Sequence, residues 1–503
     1  MTNNIPNLKK RYLFKVTRSV IVAGLSMVSL PVVTRSLGAE HYGIFNYLKT
    51  IFQSIIGFFD VFTSAFYPKI SKRPGDGGII KFVALYDSVL FLLTFIMLFL
   101  LFISGKVESV LTIQSVTITY SVLLFVWLML ISDKISKYLD ALGETIVNEI
   151  ILLIRRLILT FGLVLLFYTH KLNLMTYLHI QNITLIVFLV VFLGFAAKYY
   201  NKDEKISSVK EIAKEFKSFS MPLFWAGVVG IFINLADRWL LQIFGGSTAQ
   251  GYYSFGINLS VIAFLLTSSA TPLLYREYSI AHENNDKDRL KYLFSKFPPF
   301  FYVITATIAC YLVMHGDWLA PIIGGGDFKD SALPVMLLGL APLHQTYGQM
   351  SGSLMTATDR TREYGGISMF IDIVGLPVTY LLLAPEQYGG LNLGATGLAI
   401  KLVTLQILAV NIQIWYSTRY LGIGMSKFIT HQVLVALLFL FFAYIGKSIV
   451  GLFLGFGIVA LLSSGVLYLS LVFTIIFIFP SLVIMTRSEL LNHIKTPAAF
   501  FKS

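Results

Sequence analysis

Long apolar runs recur from one end of this chain to the other, and no soluble core absorbs so many. Val89–Ile103, Leu185–Ala197, Tyr302–Met314, Val433–Ile445 and Phe456–Phe479 are examples. Apolar residues make up 56% of the chain and charged residues 13%, well outside the range of soluble domains. A helix needs roughly 20 residues to cross the hydrocarbon core of a bilayer. The runs predict an all-α integral membrane protein with about 14 transmembrane helices. Their spans lie near 14–36, 43–69, 81–104, 112–132, 146–168, 174–197, 218–243, 249–275, 296–315, 331–356, 364–384, 393–417, 428–446 and 452–480. The last is too long for one straight crossing.

The basic residues test this topology independently. With the N-terminus inside, Lys9, Lys10, Arg11 and Lys15 are cytoplasmic, followed by Lys69, Lys72 and Arg73, then Lys134 and Lys137. The lysines of 198–217, those around Arg276–Lys291, and Arg360, Arg362, Arg419, Lys427 and Arg487 fall on the same side. Opposite loops hold little beyond Arg35, Lys106, Lys171, Lys329 and Lys447. This is the positive-inside bias of a multi-pass membrane protein with both termini cytoplasmic. It also accounts for the net charge of +13 without nucleic acid, because the basic residues hug membrane edges beside anionic lipid. No cleavable signal segment is expected, and the first span reads as retained. The single cysteine, Cys310, excludes an intrachain disulfide.

The chain also echoes itself. Pro31–Phe45, PVVTRSLGAEHYGIF, returns in altered form about 200 residues later as Asp237-Arg238, IFGGSTAQGYY and Gly251-Tyr252-Tyr253. Aligning Gly43 with Gly251 brings Tyr67-Pro68 nearly level with Thr271-Pro272. The polar stretch 198–217 divides six spans from the next six. Six is even, so the two repeats run parallel, about an axis along the membrane normal. The expected organisation is a six-helix lobe over 1–197, a cytoplasmic linker over 198–217, a second six-helix lobe over 218–417, and two extra helices with a tail over 418–503. The linker reads either as a surface helix or as a solvated connector.

These features resemble the polysaccharide flippases of the multidrug/oligosaccharidyl-lipid/polysaccharide exporter superfamily. The residues concerned are Thr34-Arg35-x-Leu37-Gly38-x-Glu40-x-Tyr42-Gly43, Asp237-Arg238, Gly251-Tyr252, Pro272, and Leu139-Asp140-Ala141-Leu142-Gly143-Glu144. The resemblance implies two lobes forming a V around a central cavity. It further implies translocation of undecaprenyl-pyrophosphate-linked oligosaccharides from the cytoplasmic to the outer leaflet, as in O-antigen and lipopolysaccharide assembly. The partners it implies are that lipid-linked substrate, membrane lipids, and polysaccharide polymerase and chain-length proteins. It implies no cofactor, with H+ or Na+ as a candidate coupling ion.

Polar residues cluster on helix faces. The second span carries Asn46, Lys49, Gln53, Asp60 and Ser64; the seventh carries Asn234, Arg238 and Gln242 beside Asp237. The fifth has Glu149, Arg155 and Arg156, the eighth Ser254 and Asn258, and the eleventh Ser368 and Asp372. The tenth has His344, Gln345 and Gln349, and the twelfth Lys401, Thr404 and Asn411. Charge inside a bilayer is costly unless it faces protein or water, so these stripes are expected to point inward. Lys49, Arg155, Arg156, Arg238 and Lys401 suit a pyrophosphate, because guanidinium groups present forked donors to phosphate oxygens. Gln53, Asn234 and Asn258, with Asn46, Gln345 and Asn411, suit sugar hydroxyls. Each has a plainer reading too. Glu149 sits on the face of Arg156 and would neutralise it, Lys401 would snorkel, and Arg35 would anchor an interface rather than gate. Asp60 and Asp237 read as gating, coupling or charge-balancing groups. Asp372 reads equally as a coupling acid or as a structural partner of Lys401.

Other chemistry is not legible. Gly446-Lys447-Ser448 lacks the first glycine of a phosphate-binding loop, since position 441 is Phe441. No HExxH or other metal-ligand spacing occurs, and no catalytic triad is expected. The runner-up within transport is a cation-coupled multidrug antiporter, which favours an acidic cavity. A membrane glycosyltransferase or polysaccharide ligase would need a large outer loop or an acidic motif, and the outer stretch near His315–Asp330 is short.

Overall fold

The computed structural model describes residues 8–73, 76–113, 115–198 and 207–484. Lys202 and Lys205 of the expected linker, and Arg487, lie outside the described residues. The described residues are mostly helical, with short turns between helices and no strand among them. The helices are α1 (Leu8–Asp60), α2 (Phe66–Lys72), α3 (Gly77–Ile103), α4 (Val107–Leu111), α5 (Val116–Ala141), α6 (Thr145–Tyr168), α7 (Leu174–Lys198) and α8 (Val209–Glu283). They continue as α9 (Lys287–Met314), α10 (Gly316–Leu319), α11 (Ala332–Gly339), α12 (Ala341–Ala357), α13 (Thr361–Leu383), α14 (Gly394–Leu421), α15 (Ser426–Leu454) and α16 (Ile458–Ile478).

Eleven helices among the described residues are long and apolar enough to cross a membrane, against the expected 14. The difference has two physical sources. First, α1 and α8 run through the expected loop between two spans, each broken only at one glycine: Gly38 (φ 68°, ψ 174°) and Gly246 (φ 70°, ψ −175°). That backbone region is closed to residues with a Cβ. Second, the expected tenth span is divided into α11 and α12 at Leu340, ahead of Pro342. The overlong last span is also shorter than expected. Gly451–Leu454 belong to α15, the chain turns at Gly455 (φ 65°), and α16 keeps 21 residues.

The register that pairs Gly43 with Gly251 also pairs Gly38 with Gly246 and Ala39 with Ser247. The echo is therefore built into the backbone, and the two copies touch. A Cβ on Gly43 would overlap the Ser247 carbonyl oxygen, and a Cβ on Gly251 would overlap the Ala39 carbonyl oxygen. Each copy thus presents a small-xxx-small step, Ala39–Gly43 and Ser247–Gly251, to the start of the other. This is the close backbone approach that small residues permit between membrane helices. The copies diverge beyond it. α1 ends at Asp60 and a short turn precedes Pro68 in α2, whereas α8 continues unbroken past Pro272.

The chain divides into two compact units, Met1–Gly251 and Tyr252–Ser503. In the first, α5 packs on α7 and α1 on α6. Trp127 is fully enclosed there, and its indole donates to Thr94 Oγ1 at 3.2 Å. The start of α8 is fastened to the α2–α3 corner. Glu215 accepts from Lys69 at 2.9 Å and Arg73 at 2.7 Å, and Ser64 and Ser220 hydroxyls meet at 3.1 Å. Asp76 caps α3 by accepting from the Gly78 amide at 2.9 Å, and it also takes the Ser207 hydroxyl at 2.6 Å.

In the second unit, α9 is the central element, packed by α12 on one side and α15 on another, with α16 on α15. Its core holds Tyr302, Cys310, Tyr347, Phe439 and Tyr468. The stretch after α9 is not a loose loop. A π turn over Ala320–Gly324 and a 3-10 turn over Gly326–Ser331 fold it compactly around a fully buried Phe328. Lys447 on α15 pins it by donating to Asp317 at 2.6 Å.

Candidate functional site

The polar residues of the first unit separate into two chemistries. One is a set of closed ion pairs. Lys134, in the last third of α5, is buried and meets Asp60 at 2.7 Å and Asp87 at 2.5 Å. Asp60 also accepts from the Thr63 hydroxyl at 2.6 Å. Glu149 on α6 meets Arg18 at 3.0 Å and Lys15 at 3.8 Å, both on α1. The expected neutralisation of Arg156 by Glu149 is therefore corrected. Seven residues of helix carry the two side chains to different heights, and α1 supplies nearer cations at the height of Glu149.

The other chemistry is a set of cations that take no part in those pairs. Arg156 Nη2 donates to the Ser26 hydroxyl at 2.8 Å and the Ser29 hydroxyl at 3.0 Å, and it has no ion pair among the described residues. Arg155 is half-buried and has no hydrogen bond or ion pair among the described residues; it feels the like charges of Arg156 and Arg18. Lys49 on α1 is half-buried too, with no hydrogen bond or ion pair among the described residues, and it lies within reach of the Arg238 charge. Arg238 on α8 donates to Gln250 Oε1 at 3.1 Å, and the Gln250 amide returns a bond to the Arg238 carbonyl at 2.5 Å. Gln250 is fully buried, so this exchange holds the guanidinium stem in place across the Gly246 break. Arg238 of α8 is thus held where its charge bears on Lys49 of α1.

The remaining expected residues of this unit are dispersed. Gln53 and Asn234 are exposed, as is Arg35, and Asp237 is half-buried beside Arg238. Asn46 is buried and spends its amide on the Tyr42 carbonyl at 2.8 Å.

In the second unit, Asn258 is exposed, and Asn411 gives its amide to the Ile407 carbonyl at 2.8 Å. Lys401 does not snorkel. It is buried on α14 and lies against Gly375 of α13, its Nζ 3.2 Å from where a Cβ would stand. Asp372 is half-buried one turn earlier on the same helix. Gln345 accepts from Gln406 Nε2 at 2.5 Å.

Several of these residues escaped the sequence reading. The expected span stops short of Lys134 and puts it in a cytoplasmic loop, whereas α5 runs on to Ala141 and buries it. Arg18 and Gln250 needed tertiary packing. Gln406 and Gln413 were legible, since seven residues on a helix return to one face. No group of three or more metal-ligating side chains occurs among the described residues.

Two findings place this arrangement among known proteins. Residues 8–274, more than half of the chain, match the model of the polysaccharide biosynthesis protein family. The fold is similar to solved transporters: the lipid II flippase MurJ in an inward closed conformation (12% identity, 92% of this chain and 98% of that one, TM-score 0.65). It is also similar to a multidrug resistance MATE family transporter of the MOP superfamily in its inward-facing conformation (11% identity, 83% and 96%, TM-score 0.57). No curated protein matches this chain. The fold is that of the MOP transporters, and the chain belongs to the polysaccharide biosynthesis protein family.

Proposed function

We propose that this protein flips undecaprenyl-pyrophosphate-linked oligosaccharides from the cytoplasmic to the outer leaflet of the bacterial inner membrane. The observation that carries this reading is the set of cations in the first unit that have no ion pair among the described residues. Lys49 and Arg155 have no partner among the described residues, and Arg156 has only hydroxyls. A charge kept from water in an apolar helix bundle is costly until a counter-charge arrives. A pyrophosphate supplies that counter-charge, and arginine binds it through two parallel bonds. A cationic drug would need free acids, whereas Asp60, Asp87 and Glu149 are already paired to basic residues. That contrast favours the flippase over a multidrug antiporter. The family's printed description, and a solved relative in fold that is itself a lipid II flippase, support the same direction. The family role makes polysaccharide polymerase and chain-length proteins the expected partners.

The test is transport in vesicles. Purified protein reconstituted with a defined lipid-linked oligosaccharide should expose the glycan to an externally added glycosidase, and empty vesicles should not. Transport of a fluorescent cationic drug, with no glycan movement, would overturn the proposal. Asp372 is assigned to coupling with H+ or Na+. Asp372→Asn should abolish the response of transport to an imposed gradient while substrate binding persists; a fall in thermal stability with the gradient response intact would reduce it to a structural group.

A further inference from the structure

The second unit carries an open cavity of about 400 Å3 whose walls hold no charged side chain. Four glutamines dominate it: Gln345 and Gln349 from α12, and Gln406 and Gln413 from α14. Thr271 of α8, Ser353 and Thr356 of α12, and Tyr364 of α13 complete the polar wall. Such a concentration of neutral amides is unusual inside apolar helices, where each polar group must find a partner.

The amides only partly satisfy one another. Gln349 Oε1 accepts from the Thr271 hydroxyl at 3.1 Å, leaving its amino group uncommitted. Gln406 spends its amino group on Gln345 Oε1 at 2.5 Å and on the Ala341 carbonyl at 3.2 Å, leaving its own Oε1 uncommitted. Gln413 is the decisive residue. Its side chain is only 7% exposed, it makes no hydrogen bond among the described residues, and its Oε1 is buried without a partner. Flipping that amide only exchanges which atom is orphaned. A buried orphan polar atom costs about 1–3 kcal/mol, and a ligand hydroxyl reaching it from the cavity would remove that cost.

Two glycines keep the space open. A Cβ on Gly348 would stand 2.8 Å from Val410 and 3.8 Å from Gln413 Oε1. One on Gly352 would stand 2.8 Å from the Tyr364 ring. The cavity thus pairs open donors and acceptors with one aromatic ring and excludes charge. A sugar fits that description. Each hydroxyl both donates and accepts, which matches amides, and its apolar C–H faces suit an aromatic side chain.

We propose that this cavity is a recognition site for an uncharged sugar of the transported glycan, distinct from the cations of the first unit. The identity of that sugar as part of a lipid-linked substrate rests on the flippase reading; the cavity's affinity for neutral saccharide does not.

The experiment has two arms on the full-length protein. In lipid nanodiscs, calorimetric titration with a panel of free neutral oligosaccharides and their uronic-acid counterparts should find a neutral member that binds more tightly than its acidic counterpart. Gln413→Leu should weaken that binding about tenfold, the worth of one buried hydrogen bond, while leaving the melting temperature unchanged or raised. Gln349→Met provides a second variant and should weaken binding in the same way. Absence of neutral binding to the wild type, uronate binding of equal strength, or unaltered binding by both variants would overturn the proposal. In vesicles, wild type, Gln413→Leu and Gln349→Met are compared for movement of a lipid-linked oligosaccharide. Glycan movement that is indifferent to both glutamines sinks the cavity and spares the flippase reading. Neutral binding lost in Gln413→Leu, with no glycan movement by wild type, sinks the flippase reading and spares the cavity.

Discussion

A lysine and an arginine in this chain can look alike in sequence and have opposite fates. Lys134 is closed between Asp60 and Asp87, so its removal strands two carboxylates side by side. Lys134→Met should lower stability by about 3–5 kcal/mol, the cost of breaking a buried pair, seen as a large drop in the detergent melting temperature. Adding Asp60→Asn and Asp87→Asn should recover most of that loss; no recovery would mean that the ion pairs are not what Lys134 contributes. Lys49, Arg156 and Arg238 should behave differently. Alanine at each should leave the protein in the membrane yet impair glycan export, because each removes a positive charge that a substrate phosphate would meet. Arg238→Lys should restore export only in part, since lysine lacks the planar fork. Full complementation by all three alanine variants at normal expression would refute a shared anion-binding role.

Elements are joined in this fold by contacts that admit no side chain. Gly43→Ala and Gly251→Ala each drive a methyl into a backbone carbonyl, which cannot move aside as a flexible side chain does. Each should cost at least about 1–3 kcal/mol and reduce the yield of folded protein. Gly24→Ala, where a Cβ meets nothing within 4 Å, should be neutral in the same melting assay. The α2–α3 corner makes a pH-dependent tie. Burial pushes the Asp76 carboxyl up, but the Ser207 hydroxyl and amide, the Gly78 amide and the Arg73 charge outweigh it, so it titrates below the ordinary aspartate value. A carboxyl depressed by folding adds stability above its unfolded pKa of about 3.9, and that stability is lost as pH falls through the lower folded value. The melting temperature of the wild type should therefore fall below about pH 4. Asp76→Asn should start lower at neutral pH and show a shallower acid fall; identical pH profiles would exclude the tie.

For the whole molecule, orientation is the property that the apolar helices leave open and the basic residues decide. The positive-inside bias predicts both termini in the cytoplasm. A phosphatase fused after Ser503, active only outside, should be silent, and a fluorescent protein at the same place should glow. The opposite pattern would reverse the inside-to-outside direction assigned to transport.

The sequence by itself determined the class of molecule, the duplication and the polar stripes, because span length, charge bias and helical periodicity are local properties of the chain. Arg155, Arg156, Lys49 and Arg238 were legible as costly charges for that reason. What only the tertiary structure decided was who meets whom. Glu149 goes to Arg18 rather than Arg156, Asp60 is claimed by Lys134, and Asn46 and Asn411 turn back on their own helices. The register of the echo placed Gly38 over Gly246, but the reciprocal contact at Gly43 and Gly251 appears only when the two breaks are folded together. The orphaned amide of Gln413 belongs to the same category. A polar residue announces its cost in sequence, whereas whether a partner meets that cost depends on side chains brought in from distant helices.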